Sequence, residues 1–111
     1  MNECLFCKIA AKELPSKIQY EDKNIIAFDD INPKAKIHIL IVPKKHIESV
    51  KKLEESDSEL MGKLILAAKK IAQEKGLKGY RLVFNVGRAG GQLVDHIHLH
   101  LLSGQKLTGI V

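Results

Sequence analysis

The segment His96-Ile97-His98-Leu99-His100-Leu101-Leu102 constrains this chain more than any other. Imidazoles and aliphatic side chains alternate through it, with the period of an extended strand whose successive side chains point to opposite faces. A strand running from Val94 to Leu102 would set His96, His98 and His100 on one surface and send Ile97, Leu99 and Leu101 into a core. A single histidine on such a strand is ordinarily a core residue with satisfied nitrogens. Three in alternation put polar groups where burial without a partner is costly, and that pattern points to chemistry. Two chemistries fit. The imidazoles contribute to a metal centre, or one of them is a nucleophile whose neighbours fix its tautomer and move protons.

The rest of the chain reads as a sheet assembled around that strand. Leu5, Phe6, Ile9 and Ala10 have helical spacing in a short segment, Cys4 to Lys12, that Pro15 prevents from extending. Ile18 to Glu21 and Ile25 to Phe28 form a hairpin pattern around the turn Asp22-Lys23-Asn24. After the loop Asp29 to Pro33 comes the most β-branched run, Ile37 to Val42, which Pro43 ends. Ser56-Asp57-Ser58-Glu59 reads as a capping box, and Leu60, Leu64, Ala67, Ala68 and Ile71 mark the buried face of the helix behind it, with Gly76 as its stop. Tyr80 to Val86 is a further strand. The pattern predicts an α+β fold: a five-stranded antiparallel sheet, one long helix and a short N-terminal helix. The 111 residues make one domain, 1–111.

Composition narrows the class of partner. Apolar residues make up 45% of the chain and charged residues 28%, an ordinary globular balance. The longest apolar run, Ile37 to Val42, is interrupted by His38 and is far too short to cross a bilayer. Met1-Asn2-Glu3-Cys4 lacks the basic and apolar regions of a signal peptide, so a cytoplasmic protein with reduced Cys4 and Cys7 is expected. A reduced C-x-x-C reads as metal-binding or redox-active, and the redox reading is weak because nothing strand-like precedes Cys4. The net charge of +5 favours an anionic partner. The lysines are scattered, and three Phe, two Tyr and no Trp supply no stacking platform for single-stranded nucleic acid. A phosphorylated small molecule fits the charge instead. The glycine-rich run Gly87-Arg88-Ala89-Gly90-Gly91, followed by Gln92, offers backbone amides that can surround a phosphate. It is not a P-loop, because no Gly-Lys-Ser/Thr follows and the next element is a strand.

The His96 to Leu102 segment, together with Phe6-Cys7-Lys8-Ile9, Ala27-Phe28-Asp29-Asp30-Ile31, His38 through Ile47 with its Val42-Pro43-Lys44-Lys45-His46, and Asn85 ahead of Gly90-Gly91-Gln92, resembles the histidine-triad (HIT) superfamily. The short length resembles its Hint branch of nucleotide-binding proteins. The resemblance implies a homodimer joining two sheets into a continuous ten-stranded sheet, and a hydrolase acting at the α-phosphate of a purine nucleotide such as AMP, GMP or a phosphoramidate derivative. It implies His98 as the nucleophile, His100 as the phosphate contact and proton carrier, and His96 and His38 in support. Asp30 would hold the ribose hydroxyls, and Leu5, Phe6, Ile9, Phe28 and Ile31 would wall the base pocket. Asn85, Gly91, Gln92 and the Leu93 amide would surround the phosphate. Bacterial relatives of this type imply a structural zinc on Cys4, Cys7, His46 and His96, and no organic cofactor is expected. Diadenosine polyphosphate hydrolysis, or a signalling module that binds nucleotide with little turnover, are the alternatives. The chain departs from the pattern at Leu93, where many Hint relatives carry a hydroxyl, and at Thr108-Gly109-Ile110-Val111, which differs from the Trp-Pro-Pro-Gly ending of eukaryotic members.

Overall fold

The computed structural model describes residues 4–109; Met1 to Glu3, read above for a targeting segment, and Ile110 and Val111 lie outside the described residues. A short helix α1 (Leu5–Ala10) is followed by strands β1 (Ile18–Glu21), β2 (Ile25–Asp29) and β3 (Ile37–Pro43), the long helix α2 (Ser58–Glu74), and strands β4 (Arg81–Phe84) and β5 (Leu99–Ser103). The five strands form one sheet in the order β1-β2-β3-β5-β4, and every neighbouring pair is antiparallel. Among the described residues no helix is long and apolar enough to cross a membrane.

The central strands are covered on both faces, which explains why β2 and β3 read as nearly continuous apolar runs rather than alternating ones. On one face Ile25, Ala27, Ile39, Ile41, Leu99 and Leu101 pack against Leu64, Ala67, Ala68 and Ile71 of α2. On the other, Ile26, Phe28, Leu40 and Val42 pack against Phe6 and Ile9 of α1. The period of two therefore assigns His38 of β3 and His100 of β5 to the α1 face. Their strands pair with Leu40 opposite His100 and His38 opposite Leu102.

Three local expectations are corrected. The last strand begins at Leu99 rather than Val94. His96 N–H turns back to the Val94 carbonyl at 2.9 Å, and Ile97 N–H donates to the Ile47 carbonyl at 2.7 Å, so this stretch hooks onto the segment after β3 before joining the sheet. The fourth strand covers Arg81–Phe84 rather than Tyr80 to Val86, because the chain turns into the glycine loop behind it. The capping box is made by Glu54 and Asp57 around a 3-10 turn, not by Ser56 and Glu59. The Asp57 carboxylate accepts from the Glu54 amide at 3.0 Å and from Lys45 Nζ at 2.8 Å, which leaves α2 without a side-chain cap.

Candidate active site

Three imidazoles, His38, His98 and His100, face the cleft on the α1 side, and their hydrogen bonds fix which nitrogen carries the proton in each. Lys34 N–H donates to His38 Nδ1 at 3.0 Å, so the proton of neutral His38 resides on Nε2. That Nε2–H points to His100 Nδ1 at 2.9 Å, which places the His100 proton on its own Nε2. Among the described residues His100 Nε2, a buried donor, has no partner. His98 Nδ1–H donates to the His96 carbonyl at 2.7 Å and leaves the Nε2 lone pair free. The His98 and His100 rings stand side by side, with centroids 4.9 Å apart. A free lone pair next to an unsatisfied donor is an arrangement for a ligand that accepts a hydrogen bond and has an electrophilic centre.

Burial holds these rings neutral. It lowers the pKa of His98, with the His96 carbonyl and Asp30 pulling the other way. It lowers His38 as well, against the attraction of Asp30, whose Oδ2 lies 3.5 Å from His38 Nε2. His100 is pushed down to about 4 by burial first, then by His98 and His38. Asp30, His38 and His100 are close enough to consider as metal ligands. The tautomers exclude it: with Nδ1 of His38 accepting from a backbone amide, its Nε2 has no lone pair to offer. The trio is instead a chain of contacts along which a proton can pass.

These groups line a cleft of about 730 Å³, a volume suited to a nucleotide-sized ligand. Of the residues that the resemblance names for a nucleotide site, Leu5, Phe6, Ile9, Phe28, Asp30, Ile31, Asn85, Gly91, Leu93, His38, His98 and His100 line this cleft. Leu14, Pro15, Leu40, Val83, Val94 and Leu102 add apolar wall without having been singled out; Leu40, Val94 and Leu102 had a signal, since each shares the parity of a histidine on its expected strand. Ile31 and Leu93, 85% and 82% exposed, stand at the cleft rim. Asp30 does serve its loop, because Oδ1 accepts from the Asn32 amide at 2.9 Å.

Two expected residues lie elsewhere. Gln92 is buried and spent on its own loop: its Oε1 accepts from Gly87 N–H at 2.9 Å, and its Nε2 donates to the carbonyls of Glu48 at 2.7 Å and Val94 at 2.9 Å. The loop amides of Gly90, Gly91 and Gln92 are also used internally, in a tight turn that needs φ of +72° at Gly87 and +94° at Gly91. Among the described residues the Leu93 amide takes no internal acceptor, so it remains available to a phosphate.

His96 is the second. Its Nε2–H donates to the Pro43 carbonyl at 2.8 Å, which turns its Nδ1 lone pair away from the cleft and toward Cys4 Sγ at 3.3 Å and Cys7 Sγ at 3.5 Å. His46 Nδ1 completes the group, 3.2 Å from His96 Nδ1 and 3.3 Å from Cys7 Sγ. Tetrahedral coordination with bonds of about 2.0–2.3 Å requires donor–donor edges of about 3.3–3.8 Å, a spacing that these four distances match or approach, and all four atoms lie within 4.8 Å of one another. Burial and the adjacent Cys4 thiol push Cys7 up to about 11, and a bound cation displaces such a proton. Burial keeps His96 neutral, down to about 4, as a ligand must be. The Cys4, Cys7, His46, His96 group fits a metal ion.

The depressed His100 has a consequence for stability. Above pH 6.5 the ring is neutral in both states and contributes no pH dependence. As pH falls from 6.5 toward about 4 the unfolded chain binds a proton that the native ring refuses, and stability drops, by up to about 1.4 kcal/mol per pH unit for each such group. His100→Asn is expected to lessen that slope in urea unfolding at pH 7, 6 and 5. Identical slopes in the two proteins would contradict this account.

Comparison with known proteins agrees with the geometry. The family described as "Scavenger mRNA decapping enzyme C-term binding" matches residues 3–109. Protein HitA of Neisseria gonorrhoeae is 43% identical over 103 residues, 92% of this chain and 96% of that protein. The crystal structure of a HIT family hydrolase from Legionella pneumophila Philadelphia 1 superposes with a TM-score of 0.92 at 56% identity, covering 95% of this chain and 96% of that one. A histidine triad protein from Clostridium difficile gives 0.96 at 42% identity, over 100% and 98% of the two chains. With His100 hydrogen-bonded to His38 on a shared sheet face, and with relatives this similar over nearly their whole lengths, the chain belongs to the histidine-triad (HIT) family.

Proposed function

We propose that this protein is a hydrolase that binds a purine nucleotide in the α1-side cleft and cleaves a bond at its α-phosphate, with His98 as nucleophile. The observation that carries this reading is the free Nε2 lone pair of His98 beside the unpartnered Nε2–H of His100. The base lies among Leu5, Phe6, Ile9, Phe28 and Ile31, and the free oxygen of Asp30 accepts from a ribose hydroxyl. His98 Nε2 attacks the α-phosphorus, and the bond from phosphorus to the leaving group breaks. The leaving group takes the proton of His100 Nε2–H as it departs, while the Nε2–H of His38 passes to His100 Nδ1 and a solvent proton replaces it on His38, so that no ring is left anionic. Water then attacks the nucleotidyl-His98, which releases the nucleoside monophosphate and frees the imidazole. A phosphoramidate suits the site best, because an amine departs readily once protonated and a neutral histidine relay supplies that proton.

HIT relatives named as hydrolases, such as the Legionella pneumophila protein, support the reaction class. Leu93 favours one further reading: its side chain brings no hydroxyl to the rim, as a module that binds AMP with little turnover would tolerate. A panel of adenosine phosphoramidate, lysyl-AMP, diadenosine polyphosphates and ADP separates these possibilities. His98→Ala is expected to abolish turnover while retaining most AMP affinity, and His100→Ala to slow it by about 10²–10⁴-fold. Rapid quenching followed by peptide mapping should find the nucleotide on His98. A label on His100, or full activity in His98→Ala, would remove the assignment. Asp30→Ala is expected to weaken ribonucleotides more than their deoxy counterparts, by about 1.5–3 kcal/mol, in calorimetry. Equal losses would take Asp30 out of the ribose role.

We also propose that the Cys4, Cys7, His46, His96 group holds a structural zinc, which binds α1 to the loop before β5 and takes no part in the chemistry. Thiolate and imidazole donors at tetrahedral spacing support zinc over harder cations. Protein purified without chelator is expected to contain one zinc per chain, lost in Cys4→Ser; sub-stoichiometric metal unchanged by that substitution would refute it. A homodimer is the assembly this reading carries, supported by β4 at the edge of the sheet and by Ile65 and Leu66, half-exposed or more on α2. A monomer mass by light scattering would exclude it.

A further inference from the structure

We infer that metal occupancy of the Cys4, Cys7, His46, His96 group and nucleotide occupancy of the cleft are thermodynamically coupled, with His96 as the positioning residue that joins them. The inference rests on the reading that the cleft binds a nucleotide.

Three connections lead from one site to the other. The first is His96 itself. Its ring is held by Pro43 through Nε2 and faces the thiols through Nδ1, while its backbone carbonyl accepts the Nδ1–H of His98. The group that fixes the nucleophile's tautomer and direction thus belongs to a metal-facing residue. A shift of the His96 backbone moves the lone pair of His98.

The second connection is Phe6. Its ring meets His96 edge-on at 5.9 Å and His98 edge-on at 5.1 Å, and it also meets Phe28 at 5.4 Å. Phe6 sits in α1, which has only six residues and is capped by Cys4 Sγ, accepting from Cys7 N–H at 3.4 Å. A helix of that length has little stability of its own, so its place depends on what anchors Cys4 and Cys7. The same helix supplies Leu5, Phe6 and Ile9 to the cleft.

The third connection is the backbone on the other side. Ile97 N–H donates to the carbonyl of Ile47, and Gln92 Nε2 donates to the carbonyl of Glu48. The phosphate-side loop and the nucleophile segment are therefore fastened to the stretch that follows His46. Filling the metal site orders the cleft wall, the nucleophile's acceptor and the loop together. A nucleotide that bridges the same three parts then binds to a protein already ordered. Linkage makes the effect reciprocal: nucleotide must raise metal affinity by the factor by which metal raises nucleotide affinity.

The test uses the Zn(II)-loaded protein in competition with a chromogenic chelator, with and without saturating AMP. AMP is expected to tighten zinc by about 5–150-fold, the usual range for coupled sites. Calorimetry of AMP against loaded and chelator-stripped protein should return the same factor. Because a stripped chain that unfolds would imitate coupling, the Co(II)-loaded protein supplies an independent readout. Saturating AMP should shift its visible ligand-field bands, and Phe6→Leu should bind cobalt stoichiometrically while showing a smaller shift and a smaller coupling factor. AMP that binds the loaded protein without changing zinc affinity or the cobalt bands overturns the coupling and leaves the nucleotide reading standing. Absence of AMP binding to the loaded protein overturns both.

Discussion

A neutral imidazole has one N–H and one lone pair, and the architecture of this site follows from sharing them among buried histidines without conflict. Each ring spends one nitrogen on a fixed partner and is left with the other for a task. His96 gives its proton to Pro43 and keeps a lone pair for the thiol group; His98 gives its proton to a carbonyl and keeps a lone pair in the cleft. His38 accepts from Lys34 and passes a donor to His100, which ends with an unsatisfied N–H. The alternation of donor and acceptor works only while the rings stay neutral, and burial keeps them so.

The sheet makes this sharing possible by separating structure from chemistry across its two faces. Leu99 and Leu101 commit β5 to the α2 core, and that commitment turns His100 toward α1. Ile39 and Ile41 do the same for His38 on β3. Sliding β5 by one residue against β3 would bury the histidines under α2 and bring leucines into the cleft. The apolar core on one side therefore holds the register on which the relay on the other side depends. Stability and site geometry are set by the same pairing.

That division was legible in the sequence because a period of two is a local property. Strands β1 to β3, the long helix with Leu64, Ala67, Ala68 and Ile71 inward, and the placement of His38 and His100 all follow from it. The same rule fails at His96. Parity alone puts it on the surface of His98 and His100, whereas the chain there leaves the strand to pair with Ile47. That hydrogen bond joins positions 50 residues apart and has no signature near either of them. The family resemblance, not the period, brought His96 together with Cys4, Cys7 and His46. Gln92 misleads for a related reason: a glutamine beside glycines can reach a phosphate or the loop's own backbone, and only the fold decides that Glu48 and Val94 hold it. The capping box moved to Glu54 and Asp57 because Lys45, distant in sequence, also holds the Asp57 carboxylate.

Asp30 poses the remaining electrostatic question, since a carboxylate in a cleft proposed to hold a phosphate repels that ligand. Its worth lies in what the reaction would create. At rest burial opposes charge on His38, His98 and His100, while Asp30 pulls each of them toward protonation without prevailing. In the proposed reaction His98 becomes cationic as its lone pair bonds to phosphorus, and burial alone would raise the barrier. The fixed carboxylate then faces a positive charge absent from the ground state, and stabilisation of that kind lowers a barrier rather than merely tightening binding. Its orientation needs no reorganisation, because the Asn32 amide already holds Oδ1, and the Asp30 N–H, donating to the His38 carbonyl at 2.9 Å, fixes the backbone beneath it. Burial to keep the imidazoles nucleophilic and one anchored anion to receive their charge are opposing demands. The loop after β2 meets both by placing Asp30 beside the relay and leaving the cleft walls apolar.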